Sequence, residues 1–334
     1  MEYRSLGRTG LKVSEICLGT MTFGKQAGER EAFAIMDASA DAGVNFIDTA
    51  DVYPLGGTLE TVGRTEDIVG GWLKGKRDRF VLATKCTGAM GPGPNDRGSS
   101  RRHIIHAIEA SLRRLQTDYI DLYQMHQVDG TTPLEEVAGT LDDLVRQGKV
   151  RYVGVSNYPA WRIALMLGIA ERLGWVRPAS DQPRYNLLYR EIENEIVPLC
   201  RHEGVGILAY NPLAGGFLTG RYEKGQEPEE GTRFTLPGAG EIYRRRYWQD
   251  AYFDAVEAFR EFFEPRGRPL AQVALKWVLS RPGVTSAILG ASRAEQVRET
   301  LPAVELQLTG EELAFCDDLW YRIPRPRDPF VASR

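Results

Sequence analysis

The chain has 334 residues, of which 43% are hydrophobic and 26% are charged, and its formal net charge is −3. This composition supplies enough apolar material for a sizeable core, and the small negative charge excludes a general attraction for nucleic acid or for an anionic membrane surface. The first five residues contain no apolar run of the secretory type, and no stretch approaches the roughly 18–20 apolar residues of a membrane span. We therefore expect a protein that binds neither nucleic acid nor membrane.

The cysteines are scattered along the chain, and no two of them form a C-x-x-C pair: they are Cys17, Cys86, Cys200 and Cys316. Their spacing predicts neither a disulfide framework nor a zinc site. A reducing, cytoplasmic location fits this pattern best.

The chain begins with a predicted β-hairpin, in which residues 1–6 and 12–16 flank a glycine-containing turn at 7–10. Short apolar runs then follow at 17–19, 45–48, 80–83, 120–123, 152–155, 179–182, 205–209 and 285–288. These runs are too short and too apolar for half-exposed antiparallel strands, so they predict buried parallel strands.

Helical patterns separate these runs, with apolar residues recurring every three to four positions. The candidate helices are 29–42, 60–73, 101–115, 134–147, 192–202, 248–263 and 270–279. About eight strand–helix units are the number that closes a TIM barrel, and no change in composition marks a domain boundary. The sequence therefore predicts one (β/α)8 TIM barrel domain over residues 1–334, with an N-terminal β-hairpin.

Residues 222–247 break this alternation. The stretch is rich in Gly, Glu, Pro and Arg, and its apolar periodicity is weak. It predicts a long loop, which in a compact fold is usually functional or disordered. Because it follows the seventh strand, we expect it at the catalytic face of the barrel. Its arginine run at 244–246 could grip an acidic group, although a solvated loop is the preferred interpretation.

Several motifs are rejected on their context. Residues 70–76 match most of a phosphate-binding P-loop, and residues 204–209 fit a loose form of the dinucleotide-binding fingerprint. Both precede a predicted strand, whereas a phosphate-binding loop leads from a strand into a helix. His103 and His106 lie three apart without a visible third ligand, so they indicate a solvated helix face and no metal site.

Polar residues stand at the ends of three successive predicted strands. Asp48 and Tyr53 follow the second strand. Lys85 follows the third strand, and His126 follows the fourth. Since the chemistry of a barrel takes place at the C-terminal ends of its strands, we expect these side chains to converge on one rim.

These residue types together can donate a proton to a substrate. Tyrosine has an unperturbed pKa of about 10 and is a poor acid near neutral pH. A lysine cation beside Tyr53 is expected to lower its pKa, and an aspartate keeps that lysine charged and in place. A histidine can hydrogen-bond the carbonyl oxygen of a substrate. The set predicts general acid catalysis.

Several sequence strings, at 6–14, 18–24, 46–53, 111–115, 154–157 and 209–213, resemble the aldo-keto reductase superfamily. The resemblance covers nearly the whole chain and is strongest to the branch with bacterial general reductases, aryl-alcohol dehydrogenases and potassium-channel β subunits. It implies NADPH-dependent reduction of aldehydes or ketones. Tyr53 would be the general acid, tuned by Lys85 and Asp48, and His126 would orient the carbonyl.

The resemblance also implies a binding site for NADPH. Tyr210 would stack on the nicotinamide, and Ser292 with Arg293 would hold the 2′-phosphate that separates NADPH from NADH. The full set of implied contacts is Gly19, Thr20, Met21, Asp48, Ser156, Asn157, Gln182, Tyr210, Asn211, Pro212, Leu213, Gly216, Gly290, Ser292, Arg293, Gln296 and Glu299. Three features depart from the family pattern: Asn211 stands for the usual serine, Thr300 stands for the usual asparagine, and the pair Gly215-Gly216 replaces a longer residue followed by glycine.

The substrate and the oligomeric state stay open. The aromatic residues that could form the walls of the substrate site are Phe23, Tyr53, Tyr158, Trp161, Tyr243, Tyr247 and Trp248. They would suit an aryl aldehyde, a sugar ketone or a polycyclic ketone, and substrate loops rather than the fold decide among these. The alternatives are a catalytically weak, redox-sensing subunit of the channel β type, and a barrel lyase or isomerase that needs no nicotinamide.

Overall fold

The computed structural model describes residues 1–324, and residues 325–334 of the predicted domain lie outside the described residues. The strands are β1 Tyr3–Ser5, β2 Lys12–Ser14, β3 Ile16–Gly19, β4 Phe46–Asp48, β5 Val81–Cys86, β6 Ile120–Met125, β7 Val150–Ser156, β8 Ser180–Gln182, β9 Gly206–Tyr210 and β10 Val284–Gly290. The α-helices are α1 Glu29–Asp41, α2 Arg64–Leu73, α3 Arg101–Leu115, α4 Leu134–Arg146, α5 Ala160–Leu173, α6 Ile196–Glu203, α7 Gly240–Tyr247, α8 Asp250–Phe263, α9 Leu270–Leu279, α10 Ala294–Thr300 and α11 Gly310–Arg322. Short 3₁₀ helices lie at Arg77–Arg79, Glu191–Glu193, Ala214–Thr219, Glu264–Arg266 and Leu301–Val304. Within residues 1–324, no helix is both long and apolar enough to cross a membrane.

Strands β3 to β10 form a closed parallel barrel. They follow one another around the ring in chain order, and β10 closes it by pairing with β3. Each of the predicted apolar runs overlaps one of these strands. The predicted (β/α)8 barrel is therefore confirmed.

The hairpin β1–β2 covers the N-terminal end of the barrel. Leu6 and Val13 have no exposed surface and belong to the apolar cluster that fills the barrel interior. The backbone amide of Arg8 donates a hydrogen bond to the carbonyl of Gly204, just before β9, at 2.7 Å. The hairpin thus seals the end of the barrel that lies opposite the C-terminal ends of the strands.

Helix α3 shows how local sequence places a helix in the outer layer. Its residues 104, 107, 108, 111, 112 and 115 form one buried stripe against the barrel. The Ser100 hydroxyl caps the N-terminus by accepting a hydrogen bond from the backbone amide of His103 at 3.3 Å. Gln116 ends the helix in the left-handed conformation. The observed bounds are those predicted.

Two helices begin four residues later than predicted. Helix α2 begins at Arg64 rather than at 60, because Gly63 has a φ of +88°, which ends any regular helix. Helix α6 begins at Ile196 rather than at 192, after a separate 3₁₀ turn. Pro198 lacks an amide hydrogen, and its ring would clash with the carbonyl four residues earlier, so it fits a first helical turn but not the interior of a longer helix.

The stretch 222–247 is not a loop throughout, and the prediction is wrong for its last third. Residues 240–247 form α7. The helix has only two large buried residues, Tyr243 and Tyr247, and three arginines stand between them. This pattern is too short and too polar for apolar periodicity to indicate a helix.

All four cysteines are buried and have free thiols. Cys17 lies inside the barrel, and Cys86 ends β5. Burial raises the pKa of each thiol above its ordinary value, to about 12 for Cys316. The reactive thiolate form is therefore scarce at neutral pH.

Helices α2 and α3 approach each other closely at Gly70, one of the glycines of the rejected P-loop match. A methyl group on Gly70 would lie 2.3 Å from the backbone oxygen of Arg114 and 2.7 Å from the carbonyl carbon of Leu115. The next residue, Gly71, would place the same methyl group 3.7 Å from Phe33 Cζ, which is an ordinary contact.

We expect Gly70→Ala to lower the free energy of unfolding by about 2 kcal/mol or more, because α3 must move to admit the methyl group. Gly71→Ala is the matched control, and it should be neutral or stabilising by up to about 1 kcal/mol because alanine favours a helix. Urea unfolding followed by circular dichroism measures both. Equal stability of the two variants would contradict the tight contact.

Candidate active site

A cavity of about 1460 Å³ opens at the C-terminal ends of the barrel strands. It is larger than the roughly 300–1,000 Å³ of most small-ligand sites, so it can hold a dinucleotide together with a second small molecule. Every predicted catalytic and cofactor-binding residue lies along its wall except Lys85, which is fully buried behind Asp48. The structure therefore brings the predicted residues together, and their roles stay predictions.

A buried ion pair forms the centre of this site. Lys85 Nζ lies 2.5 Å from Asp48 Oδ2 and also donates a hydrogen bond to the backbone oxygen of Thr49 at 2.8 Å. Lys85 has no exposed surface, and Asp48 is 2% exposed. Burial alone would lower the pKa of Lys85, but Asp48 and Tyr53 outweigh it and hold the pKa above its ordinary value. Lys85 is consequently a cation at physiological pH.

Gln124 completes the shell around Asp48, and the sequence analysis gave it no role. Its Nε2 donates to Asp48 Oδ1 at 3.0 Å, and Gln182 Nε2 donates to the same oxygen at 2.9 Å. Gln182 Nε2 also lies 3.2 Å from Gln124 Oε1. The alternation of side chains along β6 could have indicated that Gln124 faces the barrel interior. Leu122 fills the interior, and Gln124 is the next residue on the same face of the strand.

Tyr53 stands beside the ion pair, on the cavity wall. Lys85 Nζ lies 5.2 Å from the centroid of its ring, and the ring of His126 lies 5.7 Å away, nearly perpendicular to it. Burial raises the pKa of Tyr53, and the opposing effect of Lys85 is smaller. Lys85 acts in the predicted direction, but the prediction of a net lowered pKa is wrong, because the tyrosinate loses more by leaving water than it gains from the cation.

His126 is neutral in this site. Burial and the Lys85 cation lower its pKa to about 3. Its backbone amide donates to the carbonyl of Cys86 at 2.9 Å, which fixes the residue above β5. A neutral imidazole keeps one N–H, and that group can donate a hydrogen bond to a carbonyl oxygen without giving up its proton.

The ends of β7, β8 and β9 form a polar wall next to these residues. Ser156 Oγ donates to the backbone oxygen of Gln182 at 2.8 Å, and the Tyr210 hydroxyl donates to Asn157 Oδ1 at 2.9 Å. Asn157 Nδ2 donates to the backbone oxygen of His126 at 3.0 Å. Fixed amides and hydroxyls of this kind fit the carboxamide of a nicotinamide, and the flat ring of Tyr210 fits its face.

Asn211 fixes the turn that follows β9. Its backbone has a φ of +62°, which asparagine tolerates better than most residues. Its Oδ1 accepts a hydrogen bond from the amide of Gly215 at 2.6 Å, and its Nδ2 donates to the Tyr247 hydroxyl at 2.8 Å. A serine hydroxyl is too short to span both groups, so this departure from the family pattern ties the turn to α7.

The far end of the cavity lies at the end of β10 and the start of α10. Ser292 N and Oγ both contact Gln296 Oε1, at 2.8 and 3.3 Å, and Arg293 is exposed just before α10. Arg233, which the sequence analysis missed, reaches the same end: a methyl group on Gly290 would lie 3.0 Å from its Nη2. Guanidinium groups beside a space that glycine leaves open fit the phosphates of a dinucleotide.

The aromatic walls differ in part from the expected set. Tyr53, Tyr210 and Tyr243 line the cavity. Phe23 and Tyr158 are buried in the core and Trp161 is 58% exposed, so these three do not form the substrate site. Tyr247 and Trp248 also lie outside the cavity wall, because they pack against the aromatic cluster beneath the 222–247 stretch.

The described part of the chain has no candidate metal site. In residues 1–324, no group of three or more His, Cys, Asp or Glu side chains is placed to hold a metal ion. His103 is buried on α3 and His106 is exposed, so the predicted solvated face holds only for His106.

Comparison with known proteins matches the chain to one family. The sequence model of the Aldo/keto reductase family matches residues 15–321. The chain is 41% identical over 327 residues to the uncharacterized oxidoreductase YrpG of Bacillus subtilis, covering 96% of each protein. It is 38% identical over 314 residues to a probable voltage-gated potassium channel subunit beta of Arabidopsis thaliana, covering 92% of each. It is 34% identical over 325 residues to an L-glyceraldehyde 3-phosphate reductase of Escherichia coli O157:H7, covering 95% of this chain and 92% of that protein.

Removing one partner of the buried ion pair should cost more than removing both. Lys85→Met leaves the Asp48 carboxylate buried without its cation, and we expect a loss of about 3–5 kcal/mol in the free energy of unfolding. Adding Asp48→Asn to this variant removes the remaining charge and should recover at least half of the lost free energy of unfolding. Urea unfolding of the wild type, the two single variants and the double variant measures the coupling. Purely additive losses would show that the two side chains do not act as a pair.

Proposed function

Because the chain belongs to the aldo/keto reductase family, we propose that it reduces aldehydes or ketones to alcohols with NADPH as the reductant. The family supports a carbonyl-reducing oxidoreductase, and the cofactor and the roles of the site residues are our proposal. The observation that carries it is the position of Tyr53 on the cavity wall, beside the buried Asp48–Lys85 pair and 5.7 Å from the ring of His126.

Each residue at this centre has one task in the proposed reaction. Bound NADPH would supply a hydride to the carbonyl carbon of the substrate. The raised pKa of Tyr53 keeps its hydroxyl protonated near neutral pH, so it has a proton to give to the carbonyl oxygen. The Lys85 cation stabilises the tyrosinate that remains. The N–H of neutral His126 donates a hydrogen bond to the carbonyl oxygen of the substrate.

The cavity offers groups for each part of NADPH. Arg293 makes no ion pair with any residue in 1–324, so its guanidinium is available to the 2′-phosphate. The expected contacts, from nicotinamide to adenine, are Tyr210, Ser156, Asn157 and Gln182, then residues 211–216 with Arg233, then Ser292 and Arg293, and last Gln296 and Glu299. Gly19, Thr20, Met21, Asp48 and Gly290 border the same space.

A role as a binding subunit is the second candidate. It is favoured by the 38% identity to a protein named as a probable potassium channel subunit beta. A stable complex with a membrane protein, together with negligible turnover of every carbonyl tested, would support it over the reductase. The substrate panel should contain aryl, sugar, polycyclic and phosphorylated carbonyl compounds.

Tyr53→Phe tests the proposed general acid. We expect kcat to fall by about 10²–10⁴-fold, because the ring stays and only the proton donor is lost. NADPH binding, measured by quenching of tryptophan fluorescence, should stay close to that of the wild type. The control is Tyr119→Phe, which removes a hydroxyl that does not line the cavity. Full activity of the Tyr53 variant would rule out the mechanism.

Arg293→Ala tests the assignment of the cofactor. It should raise the Kd for NADPH about tenfold or more, since a charge-assisted hydrogen bond is lost, and leave the Kd for NADH nearly unchanged. Arg298→Ala is the matched control, because Arg298 is exposed on α10 and pairs with Glu295. Equal weakening of both nucleotides would remove the phosphate role of Arg293. Failure of the wild type to bind either nucleotide would remove the reductase proposal itself.

A further inference from the structure

Helix α7 turns one face toward the cavity. Ala239, at its N-terminal boundary, and then Ile242, Tyr243 and Arg246 all line the cavity wall. Their spacing of three, four and seven positions places them along one side of a helix. Arg244 pairs with Glu227 and Arg245 pairs with Glu241, and neither of them lines the cavity. One arginine of the run therefore faces the cavity, where the sequence analysis favoured a solvated loop.

Hydrogen bonds to Tyr247 and the packing of Tyr243 hold this face of α7 in place. The Tyr247 hydroxyl accepts hydrogen bonds from Asn186 Nδ2 at 3.1 Å and from Asn211 Nδ2 at 2.8 Å. Tyr243 packs directly on Gly215, where a methyl group would lie 2.7 Å from its Cδ1. Since Gly215 has a φ of +73° and no side chain, the ring can lie flat against the turn after β9. Tyr243 and Arg246 thus have fixed positions relative to Tyr210.

Arg246 brings a positive charge to the reaction end of the cavity. Burial raises the pKa of Tyr210 to about 12, and Arg246 is the strongest of the charges that oppose this rise. Tyr243 lines the same cavity as Tyr53 and Tyr210. The charge of the nearby Asp48 carboxylate is compensated by Lys85.

We propose that Tyr243 and Arg246 form the substrate-recognition face of α7, and that they select aromatic carbonyl compounds with a carboxylate or phosphate substituent. The Tyr243 ring offers a flat surface for an aryl group, and a guanidinium forms paired hydrogen bonds with either anion. This inference rests on the proposed reductase function and names the substrate class of the same site.

The test compares neutral and anionic substrates in matched variants. Wild type, Arg246→Ala and Arg245→Ala are assayed with NADPH and with benzaldehyde, 4-carboxybenzaldehyde and 4-formylphenyl phosphate. Arg246→Ala should lower kcat/KM by about 10- to 100-fold for the anionic aldehydes and change it less than threefold for benzaldehyde. The loss should appear mainly in KM. Arg245→Ala, one position away on the outer face, should leave all three values unchanged.

The outcomes separate this inference from the proposed function. A similar loss for neutral and anionic aldehydes, or an increase in the Kd for NADPH in Arg246→Ala, would overturn the anion site while NADPH-dependent reduction persists. A loss confined to one of the two anionic aldehydes would identify the anion that the site prefers. No reduction of any aldehyde by the wild type would instead refute the reductase function.

Discussion

The buried pair of Asp48 and Lys85 is the constraint around which the open end of the barrel is organised. Two charges almost without contact with water are tolerable only when each is hydrogen-bonded by fixed groups. The strands meet this requirement together, because β4 and β5 carry the charges while β6 and β8 supply the amides of Gln124 and Gln182. A parallel barrel ends all of its strands at one rim, so a network drawn from four strands needs no distortion of the fold.

Much of this arrangement could be predicted from the sequence, since buried strands and the polar residues that end them follow each other at short range. Gln124 could have been recognised from its position two residues after an interior leucine. The direction of the pKa shift of Tyr53 could not be predicted, because it depends on how far the cavity walls exclude water from the hydroxyl. No local sequence pattern encodes that. Helix α7 escaped prediction because tertiary contacts with Asn186 and Asn211, rather than an apolar stripe, hold it in place.

The cavity is built from two kinds of structure. The strand ends carry Asp48, Tyr53 and His126, and their positions follow from the hydrogen bonding of the barrel. Another wall belongs to the 222–247 stretch, which is attached to the turn after β9 by the hydrogen bond between Asn211 and Tyr247. Changes in this wall alter what fits the cavity without disturbing the ion pair, which is how one barrel can serve many substrates.

The burial of the four thiols has a consequence for the proposed reduction of aldehydes. An aldehyde is an electrophile, and a cysteine attacks it as thiolate. Cys17, Cys86, Cys200 and Cys316 are enclosed by the core, and their raised pKa keeps them protonated. Lys85 is likewise held as an ammonium ion, which has no lone pair with which to form an imine. Hemithioacetal formation at these thiols and imine formation at Lys85 are therefore suppressed while a carbonyl compound is bound in the cavity.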